Sequence, residues 1–457
     1  MSKIRLAAVL SAFLCFDTQA VTLEEAIIAA FANNAGWLAQ QAAKNGEEAG
    51  MTQAMMELLP VVNAELMRQW HTSPVQTAPN KWENVRQSQT QVRLQAQQNV
   101  FKSFQDVNNI NSKRNAYKAA LEATYKAEQE LIVKVVSAYT LIWAEREKLK
   151  AHKQKEANLK KLREAQEICL AAGTATPADV AEADSKYQTA VYERVEAEMR
   201  VVTAEAEFTQ LTGLVADDDV DISSLSLLFP LPKDLNQLQK TAMACNHEIL
   251  AAKYTRDAAL DELKVAKGRL GPTCNVTATT GRSIDGRVEG RSPSFHEVQI
   301  GVSLPLLNAP LYSNIRQYSE KAKREEFNMQ GKMTEITKNC AVTYSTYWKA
   351  SASKKSCGAA FESAKITSQN NVNQVTFGVK SITEFLEGEN ALLNANNNLT
   401  TAIKEEVDAL IQIVALTGHL NQEMMLKACK IQDKSKQKRR ISQAVQEKLK
   451  PTKKKLR

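Results

Sequence analysis

Glycine and proline are scarce in this 457-residue chain, at 16 and 11, and aromatic residues make up only 6% of it. With so few residues that bend the backbone, turns must be rare and helices long. Beyond the first 20 residues no stretch approaches the roughly 20 consecutive apolar residues of a membrane-spanning helix, so any entry into a bilayer is expected through strands. His71, His152, His247, His296 and His419 are scattered without ligand spacing, and Gly331-Lys332-Met333 lacks the upstream glycine and the Ser or Thr of a phosphate loop. No nucleophile with a neighbouring base can be argued. No enzyme, no metal and no cofactor are expected. Apart from Cys15, the cysteines (Cys169, Cys245, Cys274, Cys340, Cys357, Cys429) form no CxxC pair; Cys340 and Cys357 on one helix would lie about 25 Å apart, too far for a bridge. Mostly buried free thiols are expected.

Acidic residues are what the last stretch lacks. From Lys427 to Arg457 thirteen Lys and Arg face only Asp433 and Glu447, so of the net charge of +8 the rest of the chain carries about −3. Residues 421–457 read as a basic, disordered tail, and no nucleic-acid partner is expected, because an exported chain seldom meets nucleic acid. Export follows from the start: Lys3 and Arg5, an apolar run from Leu6 to Phe16 and a cleavage site at Thr18-Gln19-Ala20 predict a signal peptide over 1–20. Phe13 and Leu14 precede Cys15 where a lipoprotein needs small residues, so no lipid anchor is predicted.

What the chain does have is alternation. In Glu297–Leu307, Val298, Ile300, Val302 and Leu304 share one side of an extended strand, and Glu297, Gln299, Gly301 and Ser303 the other. Gln89–Gln97 repeats the pattern, with Thr90, Val92, Leu94 and Ala96 opposite a run of Gln and Arg93. Asn63–Trp70, breached by Arg68, and Asn275–Gly281 complete four strands with one oily and one wet face. The intervening stretches His71–Ser88 and Ser283–Phe295 read as polar loops.

The chain is also written twice. Leu211-Thr212-Gly213 recurs as Leu416-Thr417-Gly418, and Gly173, Thr176 and Asp179 recur as Gly378, Ser381 and Glu384, all at an offset of 205; Leu23 and Pro60 match Leu235 and Pro272 at an offset of 212. The spacing predicts a first repeat over 21–213, a linker over 214–233 and a second repeat over 234–420. Each repeat opens on a capped helix (Leu23–Glu57, Leu235–Gly268), has a strand pair, then a long helix (Phe101–Leu170, Tyr312–Phe377), a glycine tip and a return helix (Pro177–Leu211, Ile382–Leu416). The long helices hold about 70 residues and the shorter ones about 35, so two short rods match one long one of about 100 Å. Leu131, Val135, Ala138 and Ile142, with Ile403, Val407, Leu410 and Val414 on the return, give lateral seams at coiled-coil spacing.

Four strands cannot close a barrel, and an open edge in lipid leaves backbone groups unpaired at several kcal/mol each, so more than one copy is required. The passages QVRLQAQQNVF (91–101) and VQIGVSLPLL (298–307), the tips LAAGTATPADVAEA (170–183) and TFGVKSITEFLEGENAL (376–392), and the double repeat resemble the TolC-like outer-membrane channel family over roughly residues 21–420. The resemblance implies a mainly α fold with a small β part. A two-repeat protomer of long α-helical hairpins would form a coiled-coil barrel, and its four strands would contribute to a trimeric 12-stranded transmembrane β-barrel. It implies a homotrimer in the outer membrane of a Gram-negative bacterium, in contact with outer-membrane lipid, with the helices in the periplasm. Its role would be the passive exit duct of a tripartite efflux pump or type I secretion system, partnered by a periplasmic adaptor protein and an inner-membrane transporter. The alternative is a periplasmic coiled-coil structural or adaptor protein that stays out of the bilayer.

The resemblance also nominates residues. Glu384 and Glu387, one helical turn apart, match paired acidic positions that ring the periplasmic entrance, where aspartate is usual; Glu384 can equally serve as the cap of its own helix. Lys380 and Asp179 match contacts that tie neighbouring tips and keep the entrance shut. Gly173, Thr174, Gly378 and Val379 are the adaptor-contact tips, and Val92, Leu94, Val298, Ile300, Val302 and Leu304 the lipid-facing positions.

Overall fold

A computed structural model describes residues 22–216, 232, 234–284, 294–376 and 382–427. The elements run twice in one order. First come α1 (Leu23–Asn33), α2 (Ala35–Met56), β1 (Val61–Ala78), β2 (Lys81–Lys102), α3 (Gln105–Ala171) and α4 (Pro177–Thr212). Then follow α5 (Leu235–Cys245), α6 (His247–Gly268), β3 (Thr273–Ser283), β4 (Ser294–Ser303), α7 (Ala309–Thr376) and α8 (Ile382–Leu416). Among the described residues no helix is long and apolar enough to cross a membrane.

The chain divides into two compact units, and α3 and α7 contribute to both. One unit contains residues 125–246, the segment from 334 onward and the chain up to residue 40. Its core joins Ile27 and Ala30 of α1, Ile132, Val135 and Ile142 of α3, Phe208 of α4 and Leu410, Ile411 and Val414 of α8. The seams at Leu131, Val135, Ala138, Ile142, Val407, Leu410 and Val414 are buried, and Ile403 packs against them. Leu420 and Met425 are buried in the same core and a short helix runs over 422–427, so folded chain extends past residue 420 into the segment read as tail. The signal segment, most of the linker and the basic residues beyond Lys427 lie outside the described residues.

The opening helices are not continuous. Asn34 and Asn246, 212 residues apart, leave the helical region (φ −73°, ψ 112° and φ −68°, ψ 123°) and split each predicted helix into segments of 11 and 22 residues. At the same level α4 ends on Gly213, with φ +75°, and α8 is followed by Gly418, also at φ +75°. A side chain on Gly213 would meet Asn33 and one on Gly418 the Cys245 carbonyl, while Asn33 and Asn246 donate to the carbonyls of Thr212 and Leu416 at 2.9 and 3.1 Å. At each break an asparagine, Asn33 or Asn246, therefore satisfies a carbonyl of the neighbouring helix end, where carbonyls lack intrahelical donors, while the Asn34 side-chain oxygen accepts from the Trp37 N–H at the start of α2 at 3.1 Å.

The second unit holds residues 41–124 and 247–333, with the sheet. The four strands are antiparallel in the order β1-β2-β3-β4. Where a loop over His71–Ser88 is expected, β1 and β2 instead stay paired up to a turn at Pro79-Asn80, with Asn80 at φ +69°. In that stretch Val75, Trp82 and Val85 fall singly among polar residues and on both faces, so the backbone pairing leaves no hydrophobic period to read; Pro74 is tolerated because β1 is an edge strand. Strand β4 ends at Ser303, one residue before Leu304. The long first helix starts at Gln105, not Phe101: β2 runs to Lys102, and Ser103 and Phe104 turn the chain with φ +47° and +62°. Ser103 donates to the Pro272 carbonyl at 2.6 Å and Gln105 to that of Gly268 at 3.1 Å; a Cβ on Gly268 or Gly271 would collide with Ser103. Of the cysteines described only Cys340 is buried; Cys169, Cys245, Cys274 and Cys357 are half-buried free thiols, fewer buried than expected, and Cys274 sits on strand β3 opposite Val302 rather than in a helix core.

Candidate functional site

Alternation and register together settle the faces of the sheet. Residues directly opposite one another share a side, which gives the rows Val62–Ala96–Ala278–Val298 and Ala64–Leu94–Thr280–His296 on one face. The other face has Val61–Gln97–Thr277–Gln299 and Asn63–Gln95–Thr279–Glu297, with Glu65 and Arg93 ion-paired beside them. The first face is bare in the single chain: Val298, Ile300 and Val302 are 71–73% exposed, and Val92, Leu94 and Leu304 about half exposed. A sheet with one wet face and one uncovered apolar face has no core to bury against.

At the tip between α3 and α4 the backbone turns at Gly173 with φ +77°, where a side chain would meet open space. Thr174 donates from its N–H and its hydroxyl to the Cys169 carbonyl at 2.9 and 3.1 Å. Thr176 then caps α4, and the Asp179 carboxylate accepts from the Thr176 N–H and hydroxyl, both at 2.8 Å. Those two bonds hold the Asp179 carboxyl below the usual range of an aspartate. Its carboxylate serves its own helix start, as a capping box requires. Gly378, Val379 and Lys380, the residues expected to face it or to shape the second tip, lie outside the described residues.

The first turns of α8 sort their side chains by face. Glu384 and Glu387 are exposed, whereas Phe385 is buried with Leu159 and Leu162 of α3 and Ala190 of α4. One turn beyond Phe385, on the buried side, sits Glu389, only 3% exposed. Its carboxylate accepts from Asn158 of α3 at 2.9 Å and from Ser368 of α7 at 2.5 Å, so one acidic group joins three helices. Sequence reasoning did not find it. The signal was available: Phe385, Glu389 and Leu393 recur at i, i+4, i+8, which puts a carboxylate on an apolar stripe. Truncation would strand a buried amide and hydroxyl, and bonds to a charged acceptor contribute about 1.5–3 kcal/mol each. Glu389→Ala is therefore expected to lower stability by several kcal/mol, read as an earlier thermal loss of helical circular dichroism, with Glu389→Gln intermediate. Equal melting of Glu389→Ala and the parent protein would contradict this.

A further buried group, His152, lies between α3 and α4 with Lys155 and Glu193 beside it; burial lowers its pKa and leaves the ring neutral near pH 7.

The model of the outer membrane efflux protein family matches residues 26–214 and 238–419. Among curated proteins, the chain is 24% identical over 337 residues to the outer membrane efflux protein BepC of Brucella suis, covering 73% of each. It is 22% identical over 304 residues to the alkaline protease secretion protein AprF of Pseudomonas aeruginosa, covering 64% of this chain and 62% of AprF. Among solved structures, the outer membrane protein VceC of Vibrio cholerae superposes with a TM-score of 0.74 at 14% identity, over 87% of this chain and 96% of VceC.

Proposed function

The chain belongs to the outer membrane efflux protein family, and from that premise we propose that three copies assemble into one channel that serves as the exit duct of an efflux or secretion system. It is a channel protein of the Gram-negative outer membrane with its helices in the periplasm, and no enzyme. That location sets aside the reading as a periplasmic coiled coil that never meets a bilayer.

The observation that carries the proposal is the unclosed sheet. Among the described residues β1 and β4 each have one neighbour, the apolar face is bare, and in hydrocarbon every unpaired N–H or C=O on those edges costs several kcal/mol. Pairing β4 of one copy with β1 of the next removes both edges. Three copies give twelve strands, enough for a wet lumen lined by the Gln and Thr rows, with Val92, Leu94, Val298, Ile300, Val302 and Leu304 toward lipid.

Gating is assigned to the helical tips. Glu384 and Glu387 of three copies form stacked carboxylate rings at the periplasmic entrance, and Asp179 and Lys380 of adjacent tips hold it shut until an adaptor replaces those contacts. Exposed pairs are worth at most about 1 kcal/mol each, so the lock needs several acting together. The tips at Gly173, Thr174, Gly378 and Val379 receive the adaptor, which links the duct to an inner-membrane transporter. The names of BepC and AprF place relatives in efflux and in protein secretion. The deciding experiment isolates the outer membrane and runs it unheated on SDS gels: a species of three chain masses that opens channels in planar bilayers is expected, and a soluble monomer would overturn the proposal.

A further inference from the structure

Arg68 and Arg282 interrupt the apolar face of the sheet where its apolar rows end, toward the hairpin end. Counting from the helix end, the rows on that face run through Val302, Ile300, Val298 and His296 to Leu66–Val92–Arg282–Ser294, and then to Arg68–Thr90. Each row is a two-residue step of about 6.7 Å, so at a strand tilt of about 40° Arg282 and Arg68 stand about 20–25 Å above the Val302 row. That is the height at which the apolar band of a membrane barrel ends. Because the helices are periplasmic, this end faces out of the cell.

The two side chains are exposed, and neither has a carboxylate partner among the described residues. The nearby acids Glu65 and Glu297 point to the wet face, where Glu65 already pairs with Arg93. The Arg68 guanidinium instead lies 5.5 Å from the centroid of the Trp70 ring, one step further out on the same face. The indole shields one side of the cation and leaves its N–H edge free. Register puts the two arginines two strands and one step apart, about 12 Å between Cα atoms. Between them on β2 stand only Val92 and Thr90, so both cations overhang one uncharged patch.

We infer that Arg68, Arg282 and Trp70 form a clamp for the phosphorylated headgroup of an outer-leaflet glycolipid. Guanidinium groups at the acyl–headgroup boundary recognise phosphate through paired N–H donors. Two of them at this separation suit a disaccharide that carries a phosphate at each end, while the rows below, Leu94–Ala64 and Val298–Ala278, take the acyl chains. The clamp rests on the barrel reading, since only there does this face meet lipid.

The test uses the purified full-length protein in detergent, titrated by native mass spectrometry with bisphosphorylated lipid A, its dephosphorylated form and phosphatidylglycerol. The parent protein is expected to bind the bisphosphorylated lipid at least tenfold more tightly than the dephosphorylated one, the order expected for two arginines at a membrane surface. In R68Q/R282Q that preference should shrink to within about twofold, with the oligomer intact on unheated gels. Equal affinity of the parent protein for both forms of lipid A, a preference that survives in R68Q/R282Q, or phosphatidylglycerol binding as tightly as lipid A would each overturn the clamp. Failure of the parent protein to form an oligomer that floats with membranes would instead overturn the barrel reading on which it rests.

Discussion

Aspartate at both Val195 and Met199 is expected to abolish the SDS-resistant oligomer while leaving a folded, helical monomer. Helix α4 is apolar on two opposite sides. Ala190, Ala197, Val201, Ala204 and Phe208 are buried within the chain, and Phe208 is fully so. On the other side Tyr192, Val195, Met199 and Val202 follow the 3-4-3 spacing of a coiled-coil seam, yet they are 43–69% exposed. A stripe of that spacing left bare on a periplasmic helix asks for another helix, and within the described chain none covers it. Covering each such side chain contributes about 1.5–3 kcal/mol, repeated at every interface of a closed ring. Two carboxylates in place of Val195 and Met199 remove that gain and add the cost of burying charge without a partner, several kcal/mol each. Because the substituted positions face solvent in the single chain, circular dichroism should barely change, and Met199→Leu should assemble normally. Oligomer surviving the double aspartate substitution would mean that α4 does not meet a neighbouring copy.

The parts of this fold that could be read from sequence are those where side chains alone encode the answer. Strand β4 is legible because Val298, Ile300 and Val302 alternate with polar residues, and the core seams because Leu131, Val135 and Ile142 recur at helical spacing. The tip between α3 and α4 is legible through Gly173 and Thr176-Pro177, whose backbone preferences fix a turn and a helix start. What escaped depended on contacts distant in sequence. Asn34 and Asn246 carry no breaker chemistry of the glycine or proline kind; the break becomes visible once Asn246 is seen to bond Leu416, 170 residues away. The outer half of the β1–β2 ribbon escaped because backbone pairing stabilises it without any apolar side of its own. Glu389 escaped for a related reason: two exposed glutamates precede it, and only Asn158 and Ser368, from other helices, mark it as different. The acidic ring itself rests on family likeness, and the exposure of Glu384 and Glu387 on the side of α8 away from Phe385 is compatible with it.

Neutralising that ring gives the second large expected effect. In the three-copy channel proposed above, E384Q/E387Q would remove six carboxylates from the entrance while conserving side-chain volume. Unit charges about 4 Å apart interact by about 1 kcal/mol in bulk water and about 4 kcal/mol where the effective dielectric falls near 20. A cation passing two stacked rings therefore gains at least about 1 kcal/mol over an anion, a factor of about five in relative permeability. The substituted channel should show a reversal potential in a KCl gradient shifted toward zero, with the cation-to-anion permeability ratio reduced about fivefold or more. Resting conductance separates this role from capping: a Glu384 that only stabilises the start of α8 would leave the ratio untouched and at most alter how often the channel opens. Glu387 lies outside any cap, so Glu387→Gln alone should produce about half of the shift on a logarithmic scale. A double variant that still assembles and keeps the parental permeability ratio would remove Glu384 and Glu387 from the entrance and leave them as ordinary solvated glutamates.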